Sequence, residues 1–244
     1  MPVEIKLFKK LSVKNPTLIE GFPGIGLVGT VACNYLVEKL GMECVGIVSS
    51  DKFPPLATIH NFEPFFPTRL FESKKHNFLV LFSEFLIPLN VIYELSNCLL
   101  NFSAKIKAKK IISLAGISIM GEQDEVFGIA NNKEDSELLK KTGVKLIREG
   151  ASTGVNAMLL IEGKSKGIPV ISLLAESKPG YIDPFAASLV LESLNRILNL
   201  KVDTTPLREE SKRIEESMRN ILERAKVSRE HYSKTGESLG QTYI

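Results

Sequence analysis

The chain of 244 residues contains no tryptophan, three histidines and three cysteines. Cys33, Cys44 and Cys98 are odd in number and form no Cys-x-x-Cys pair, which argues against disulfides and structural zinc and favours a reducing cytoplasm. His60 and His76 have no ligand partner at a metal-binding spacing. We therefore expect no metal site.

An excess of charge and long apolar runs are also missing. Lys and Arg number 31 against 28 Asp and Glu, and the resulting net charge of +3 is too small to indicate nucleic-acid binding. No apolar run reaches the roughly 18 residues of a membrane span, and the first residues lack a signal-peptide pattern. We expect a cytoplasmic protein that binds neither nucleic acid nor membranes.

Short apolar runs alternate with helical patterns over residues 1–200. The patterns predict strands at 3–8, 17–20, 43–49, 78–82, 110–114 and 168–174, and helices at 25–40, 89–108, 134–142, 155–166 and 184–200. The last four strands have the composition of buried parallel strands. This order predicts an α/β core domain, a three-layer α/β/α sandwich with right-handed crossovers.

The segment 51–72 is less regular and carries four prolines and five phenylalanines. It resembles an excursion of short strands, with more aromatic surface than a solvated loop needs. Burial against the same chain and burial in a subunit interface remain equally open.

The C-terminal region, 201–244, differs from the core in composition. Asp203-Thr204-Thr205-Pro206 predicts a helix start, and a narrow apolar stripe among many charges extends a helix over 201–232. Residues 233–244 are rich in Gly, Ser and Thr and are expected to form a flexible tail. The tail ends in Thr242, Tyr243 and Ile244.

A glycine loop follows the second predicted strand. Gly24, Gly26 and Gly29 match the dinucleotide pattern G-x-G-x-x-G, with Asp51 at the distance of a ribose-binding acid. Asp51, however, leads into a proline-rich segment and not into a crossover. We favour a turn that brings the helix close to the sheet, while its free N–H groups leave weak anion binding open.

Ser152 lies in a G-x-S-x-G pattern and precedes Asp183 and His231, the chain order of an α/β-hydrolase triad. The preceding run is short and mixed, and His231 ends a charged helix, so we expect no working triad. We predict instead that Ser152-Thr153-Gly154 caps the next helix. Asp183, before Pro184, is interpreted as a helix cap, with ligand contact as the alternative.

Four motifs together resemble the proteasome assembly chaperone family, especially its archaeal members. They are Gly21-Phe22-Pro23-Gly24-Ile25-Gly26-Leu27-Val28-Gly29, Ser50-Asp51-Lys52-Phe53-Pro54-Pro55, Gly150-Ala151-Ser152-Thr153-Gly154 and Pro179-Gly180-Tyr181-Ile182-Asp183-Pro184. The resemblance covers about residues 1–200. It implies a phosphorylase/hydrolase-like fold without established catalysis or a cofactor, although some relatives have been labelled ATP-grasp-like.

The resemblance also implies a docking tail. Archaeal members end in hydrophobic-Tyr-any, which Thr242, Tyr243 and Ile244 match except that Thr242 is not a larger apolar residue. The expected partners are proteasome α-subunits or the α-ring, further copies of this chain in a tetramer or pentamer, and a paralogue. The alternative is a small-molecule enzyme, nucleotide-linked or hydrolytic, that uses the glycine loop with Ser152 and Asp183.

Overall fold

The computed structural model describes residues 2–118, 125–177 and 182–209. Within them the strands are β1 (Glu4–Leu7), β2 (Thr17–Gly21), β3 (Glu43–Ser49), β4 (Thr58–His60), β5 (Glu63–Phe65), β6 (Thr68–Ser73), β7 (Phe78–Ser83), β8 (Lys110–Ile117), β9 (Val126–Ala130), β10 (Lys145–Leu146) and β11 (Val170–Glu176). The helices are α1 (Val28–Lys39), α2 (Ile92–Lys105), α3 (Lys133–Lys141), α4 (Gly154–Ser165), α5 (Pro184–Leu198) and α6 (Thr205–Glu209). Short 3-10 turns at Ile25–Leu27 and Leu89–Val91 lead into α1 and α2.

Nine of these strands form one mixed sheet in the order β1-β3-β6-β7-β2-β8-β11-β9-β10. At its centre β7, β2, β8 and β11 are parallel. The prediction of a parallel strand at 43–49 is wrong, because β3 pairs antiparallel with β1 and β6. The chain between β3 and β6 contains a hairpin and no crossover helix, and a parallel connection would require such a crossover.

Helices cover both faces of the sheet. Side chains of successive strand residues point to opposite faces, so Leu18 joins the core under α2 and α4, whereas Ile19 joins the core under α1 and α5. The predicted three-layer α/β/α sandwich is confirmed. No helix in the described ranges is long and apolar enough to cross a bilayer.

The aromatic segment divides between the core and the surface. Phe53 packs edge-on against Phe85 with ring centroids 5.0 Å apart, and Phe71 is buried. The hairpin of β4 and β5 pairs only within itself, and Phe62 at its turn is fully exposed, as is more than half of Phe66. Of the two alternatives for this segment, burial against the same chain is therefore correct for Phe53 and Phe71 but not for Phe62 and Phe66.

A buried ion-pair network holds this hairpin to the sheet. Glu84, which is 1% exposed, bonds Arg69 of β6 and lies 3.0 Å from Nε2 of His60. The Arg69 guanidinium also stacks near the rings of Phe65 and Phe71. The base of the hairpin is thus fixed, whereas its turn remains exposed.

The C-terminal helix begins as predicted. The Asp203 carboxylate accepts a hydrogen bond from the Thr205 N–H at 2.9 Å, and Leu207 is fully buried. The Tyr35 hydroxyl of α1 donates to the Asp203 carbonyl oxygen at 2.7 Å. The remainder of the predicted helix and tail, including His231, Thr242, Tyr243 and Ile244, lies outside the described residues, so the division at 232/233 stays a prediction.

Candidate functional site

The glycine loop brings α1 into direct contact with the sheet. A Cβ atom at Gly21 would lie 2.2 Å from the carbonyl oxygen of Gly29, and one at Gly29 would lie 2.1 Å from that of Leu114 on β8. Real Cβ atoms do not approach oxygen this closely, so only glycine allows the helix to rest on β2 and β8. Close helix-to-sheet packing is the function that the sequence analysis favoured for this loop.

The loop turns sharply just before α1. Gly26 has a φ of +64° and Leu27 a φ of +50°, so two successive residues adopt the left-handed conformation. The Gly26 carbonyl oxygen accepts a hydrogen bond from the Asp183 N–H at 2.9 Å. This bond ties the glycine loop to the start of α5.

Asp51 does not lie beside the glycine loop as a ribose-binding acid would. It follows β3, and in the sheet β6 and β7 separate β3 from β2. In a dinucleotide fold the strand that carries the acid neighbours the strand that precedes the glycines. The pattern of Gly24, Gly26 and Gly29 therefore has no ribose-binding acid in Asp51, and a dinucleotide site requires such an acid.

Asp183 caps α5. Its carboxylate accepts a hydrogen bond from the Ala186 N–H at 2.9 Å, and Pro184 occupies the first turn of the helix. The interpretation of Asp183 as a cap is confirmed. The alternative role of Asp183 in ligand contact stays a prediction.

Ser152 lies in an exposed loop between β10 and α4. Its hydroxyl accepts a hydrogen bond from the side-chain amide of Asn156 at 3.3 Å. Thr153 is the N-cap residue of α4 but makes no side-chain capping bond, so the prediction that a hydroxyl of this motif caps the helix is wrong. The Ser152 hydroxyl bonds the Asn156 side chain instead, a contact that the motif alone does not specify.

The triad pattern does not form one site in the described residues. Ser152 precedes α4, which packs with α2, whereas Asp183 starts α5 in the opposite helix layer with α1. The strand before Ser152 is only two residues long and ends at Leu146. A nucleophile elbow requires a buried strand that runs directly into the serine.

A cavity of about 1180 Å³ opens between the sheet and the α2/α4 layer. It lies where the central parallel strands β2 and β8 end, which is where α/β folds place ligands. Gly24 and Ser152 both line it, whereas Gly26, Gly29 and Asp183 do not. The predicted ligand residues are therefore split between the cavity and the contact of α1 with α5.

Glu20 is a cavity residue that the sequence analysis missed. It lies in the middle of the sheet on β2, is 2% exposed, and accepts a hydrogen bond through Oε2 from the Phe22 N–H at 3.3 Å. Burial raises the pKa of this carboxyl to about 7, against smaller lowering effects of the Ser113 hydroxyl and the Phe22 N–H. The signal in the sequence was one acidic residue within the otherwise uncharged strand Thr-Leu-Ile-Glu-Gly.

Within the described ranges, no three histidine, cysteine or acidic side chains cluster closely enough to hold a metal ion. Burial raises the pKa of the Cys33 thiol well above its usual range, and the nearby Glu20 adds to this effect. A protonated, fully buried thiol is a poor nucleophile. Cys33 is therefore a core residue and not a candidate catalyst.

Comparison with known proteins gives consistent matches. The family model of the PAC2 family matches residues 18–222. An uncharacterised protein of Methanocaldococcus jannaschii is 34% identical over 214 residues, 88% of each chain. The crystal structure of Pyrococcus furiosus PbaA, an archaeal homologue of proteasome-assembly chaperone, superposes with a TM-score of 0.85 at 35% identity and covers 93% of this chain and 100% of PbaA.

A second Pyrococcus furiosus structure is similar as well. PbaB, an archaeal proteasome activator, superposes with a TM-score of 0.76 at 26% identity, covering 90% of this chain and 98% of PbaB. The family model spans most of the chain, and the fold agrees with the relatives over nearly their full length. The chain belongs to the PAC2 family.

Proposed function

We propose that this protein binds the α-ring of the proteasome, or free α-subunits, as an ATP-independent assembly chaperone or activator. The observation that carries the proposal is the full-length similarity to PbaA and PbaB, one a homologue of a proteasome-assembly chaperone and the other a proteasome activator. Thr242, Tyr243 and Ile244 are the proposed contact residues, with Tyr243 as the anchor.

The beginning of α6 supports a role for the C-terminal region as an arm. Arg208 pairs with Glu192 of α5 at 2.7 Å, and its guanidinium lies 5.1 Å from the ring of Phe185. Together with the buried Leu207, these contacts fix the first turn of α6 to the α1/α5 layer. An arm with a fixed base would project its end from a defined point of the core, which reduces the entropy lost on docking.

The chemistry of the last residues suits a small pocket between subunits. The Tyr243 ring offers apolar area and a hydroxyl at little entropic cost, and the terminal carboxylate can pair with a lysine. One short anchor binds weakly, because ordering the segment that carries it offsets much of the gain. Several tails on one oligomer would raise the apparent affinity on the order of 10²-fold when their spacing matches the ring.

The direct test removes Tyr243 and Ile244 and measures binding to a purified archaeal α-ring by size-exclusion chromatography with light scattering. We expect the full chain to co-elute with the ring, with or without ATP, and the truncated chain to elute alone as an unchanged oligomer. Equal binding by both forms would rule out docking through the tail.

Self-association is the second part of the proposal. The exposed apolar side chains of the β4–β5 hairpin, Ile59, Phe62 and Phe66, are supporting observations, because water-exposed aromatic clusters of this kind commonly mark protein interfaces. We infer that this hairpin contacts another copy of the chain. The number of copies expected is four or five.

The alternative, a small-molecule enzyme, would use Gly24, Ser152 and Asp183. The distribution of these residues over two helix layers weighs against one catalytic centre that contains all of them. Gly24 and Ser152 do share one cavity, which opens between the sheet and the α2/α4 layer.

A further inference from the structure

Glu20 places a carboxyl group on the inner wall of the cavity between the sheet and α2 and α4. In the register of the sheet it lies opposite Ser113 of β8 and Leu81 of β7. Its side chain points to the same face as Leu18, two residues earlier, which packs in the α2/α4 core. A carboxyl group thus occupies a position where the fold otherwise buries aliphatic side chains.

The protein satisfies this carboxyl group incompletely. Oε2 accepts the Phe22 N–H, whereas Oε1 is buried without a hydrogen bond of good geometry, although the Ser113 hydroxyl interacts with the carboxyl group strongly enough to lower its pKa. A buried polar atom without a partner normally costs about 1–3 kcal/mol. Glu20 is among the residues that line the cavity, although Oε1 itself exposes almost no surface, so a bound molecule reaches Oε1 only after a small movement of the side chain.

Within the described residues, no cation pairs with this carboxyl group. No positive side chain of the described chain lies close enough to lower the pKa of Glu20, which burial raises to about 7. The other charged residues that line the cavity are Arg148 and Glu149, which lie in the loop before α4. A ligand that brings its own positive charge would compensate Glu20 most effectively.

Two further polar residues line the same cavity as Glu20. Oδ1 of Asn156 is a second buried acceptor on the cavity wall without a hydrogen bond. The Ser113 hydroxyl, on the strand beside Glu20, makes no hydrogen bond of good geometry, but it lowers the pKa of Glu20 and so acts toward that carboxyl group as a donor and not as a free acceptor. An ammonium group carries three N–H donors and no acceptor, so it complements Oε1 of Glu20 and Oδ1 of Asn156.

The remaining wall is largely aliphatic and aromatic. Phe22 and Ile25 follow β2, while Ile92 and Leu160 come from α2 and α4. Such a wall binds the hydrocarbon part of a ligand by removing it from water. It thereby directs the polar end of the ligand toward the polar groups of the cavity. Therefore an apolar body with a single cationic end matches both parts of the cavity.

We propose that this cavity is a binding site for a small primary amine with an apolar body, whose ammonium group donates to Oε1 of Glu20. The amine site goes beyond the proteasome proposal, because the described residues that line the cavity all belong to the α/β/α core. A variant of Glu20 should therefore keep α-ring binding whatever it does to the amine.

The test uses the full chain and n-hexylamine as the probe, titrated at about pH 8, where Glu20 is mostly ionised, and followed by amide chemical shifts. Glu20→Gln keeps the size and removes the negative charge. Glu72→Gln is the matched control, because Glu72 is equally buried, at 2% exposed, but does not line the cavity. The neutral probe n-hexanol has the same apolar body without the positive charge.

We expect wild type and Glu72→Gln to bind hexylamine equally and Glu20→Gln to bind it roughly tenfold more weakly. Hexanol should bind wild type about as weakly as hexylamine binds Glu20→Gln. Equal affinity of wild type and Glu20→Gln for the amine would overturn the proposal. Hexanol binding as tightly as hexylamine, or no hexylamine binding to wild type, would overturn it too.

A second measurement needs no variant. At about pH 6 the Glu20 carboxyl is mostly protonated, and its side-chain carboxyl carbon has the chemical shift of the neutral acid. Binding of hexylammonium should move this resonance to the position of an ionised carboxylate. Amine-induced shifts elsewhere in the cavity with an unchanged Glu20 resonance would contradict the assigned contact.

Discussion

Residues of β2 and of the glycine loop have two different roles. The glycines allow close packing of a helix on the sheet, and Glu20 adds a polar group to the cavity wall. Gly21 and Gly29 let α1 rest on the sheet, while Glu20 turns a carboxyl group toward the opposite helix layer. Two successive left-handed residues, Gly26 and Leu27, then direct the chain into α1. Local sequence identified the glycines, but it did not identify Glu20, because its burial depends on strands distant in the sequence.

Glu20 should make folding stability depend on pH. Its pKa rises from an ordinary 4.5 to about 7 on folding, so the folded state binds more protons between these values. Stability from this group is present below pH 4.5 and is lost as pH rises through 7, a change of about 3 kcal/mol.

Denaturant unfolding at about pH 5 and about pH 8 tests whether this contribution to stability falls as the pH rises. The free energy of unfolding of Glu20→Gln should exceed that of wild type at the higher pH and approach it at the lower. The other ionisable groups are common to both proteins and cancel in the comparison. A difference that does not change with pH would show that Glu20 titrates normally.

Two glycines of one loop should differ in their tolerance of alanine. At Gly26 a Cβ would lie 2.0 Å from the Ser177 hydroxyl oxygen in a left-handed backbone, whereas at Gly24 it would meet no atom within 4 Å. We expect Gly26→Ala to lower the free energy of unfolding by about 2 kcal/mol and Gly24→Ala by less than about 0.5 kcal/mol.

Thermal or denaturant unfolding of both variants provides the measurement. If both variants lost the same free energy of unfolding, the loop would have to relax around the methyl group at position 26. The comparison also bears on ligand binding, since Gly24 lines the cavity and Gly26 does not. Gly24→Ala is therefore the cleaner probe of the cavity.

At the scale of elements, the sequence predicted all five core helices to within a few residues, because apolar periodicity and caps are local. It missed β9 and the two-residue β10, placed β6 only within an irregular segment, and gave β3 the wrong direction. β9 has five residues and is mostly half-buried, so its pairing with β11 depends on contacts that no local pattern encodes. The cavity was missed for the same reason, since its walls come from strands and helices far apart in sequence.

The β4–β5 hairpin yields a prediction about assembly. Phe62 and Phe66 are exposed although Glu84 and Arg69 fix the hairpin base. We expect replacement of both phenylalanines by serine to dissociate the oligomer while leaving the unfolding free energy of the separated subunit nearly unchanged, because neither ring is buried in it.

Light scattering before and after the double substitution measures the effect. Leu89→Ser is the matched control, because Leu89 is an equally exposed apolar residue outside the hairpin. It should leave the molar mass unchanged. An oligomer that survives the double substitution would exclude this hairpin as the contact.

For the whole molecule, an α/β/α core holds the first turn of α6, from which the proposed C-terminal arm would extend. Sequence motifs indicated the family before the fold was known, since four of them occur in a fixed order along the core. The fold adds the base of the arm, where Leu207 and Arg208 pack on α5, and the cavity on the opposite face of the sheet. Binding of the α-ring and of a small amine would therefore use separate parts of the chain.

Docking through the tail is tested by the affinity of an archaeal α-ring for Tyr243→Ala, compared with wild type and with Tyr232→Ala. Both variants remove one tyrosine from the C-terminal region, but only Tyr243 belongs to the proposed anchor. Tyr243→Ala should weaken binding at least roughly tenfold, whereas Tyr232→Ala should bind like wild type. Wild-type affinity of Tyr243→Ala would contradict docking through the tail.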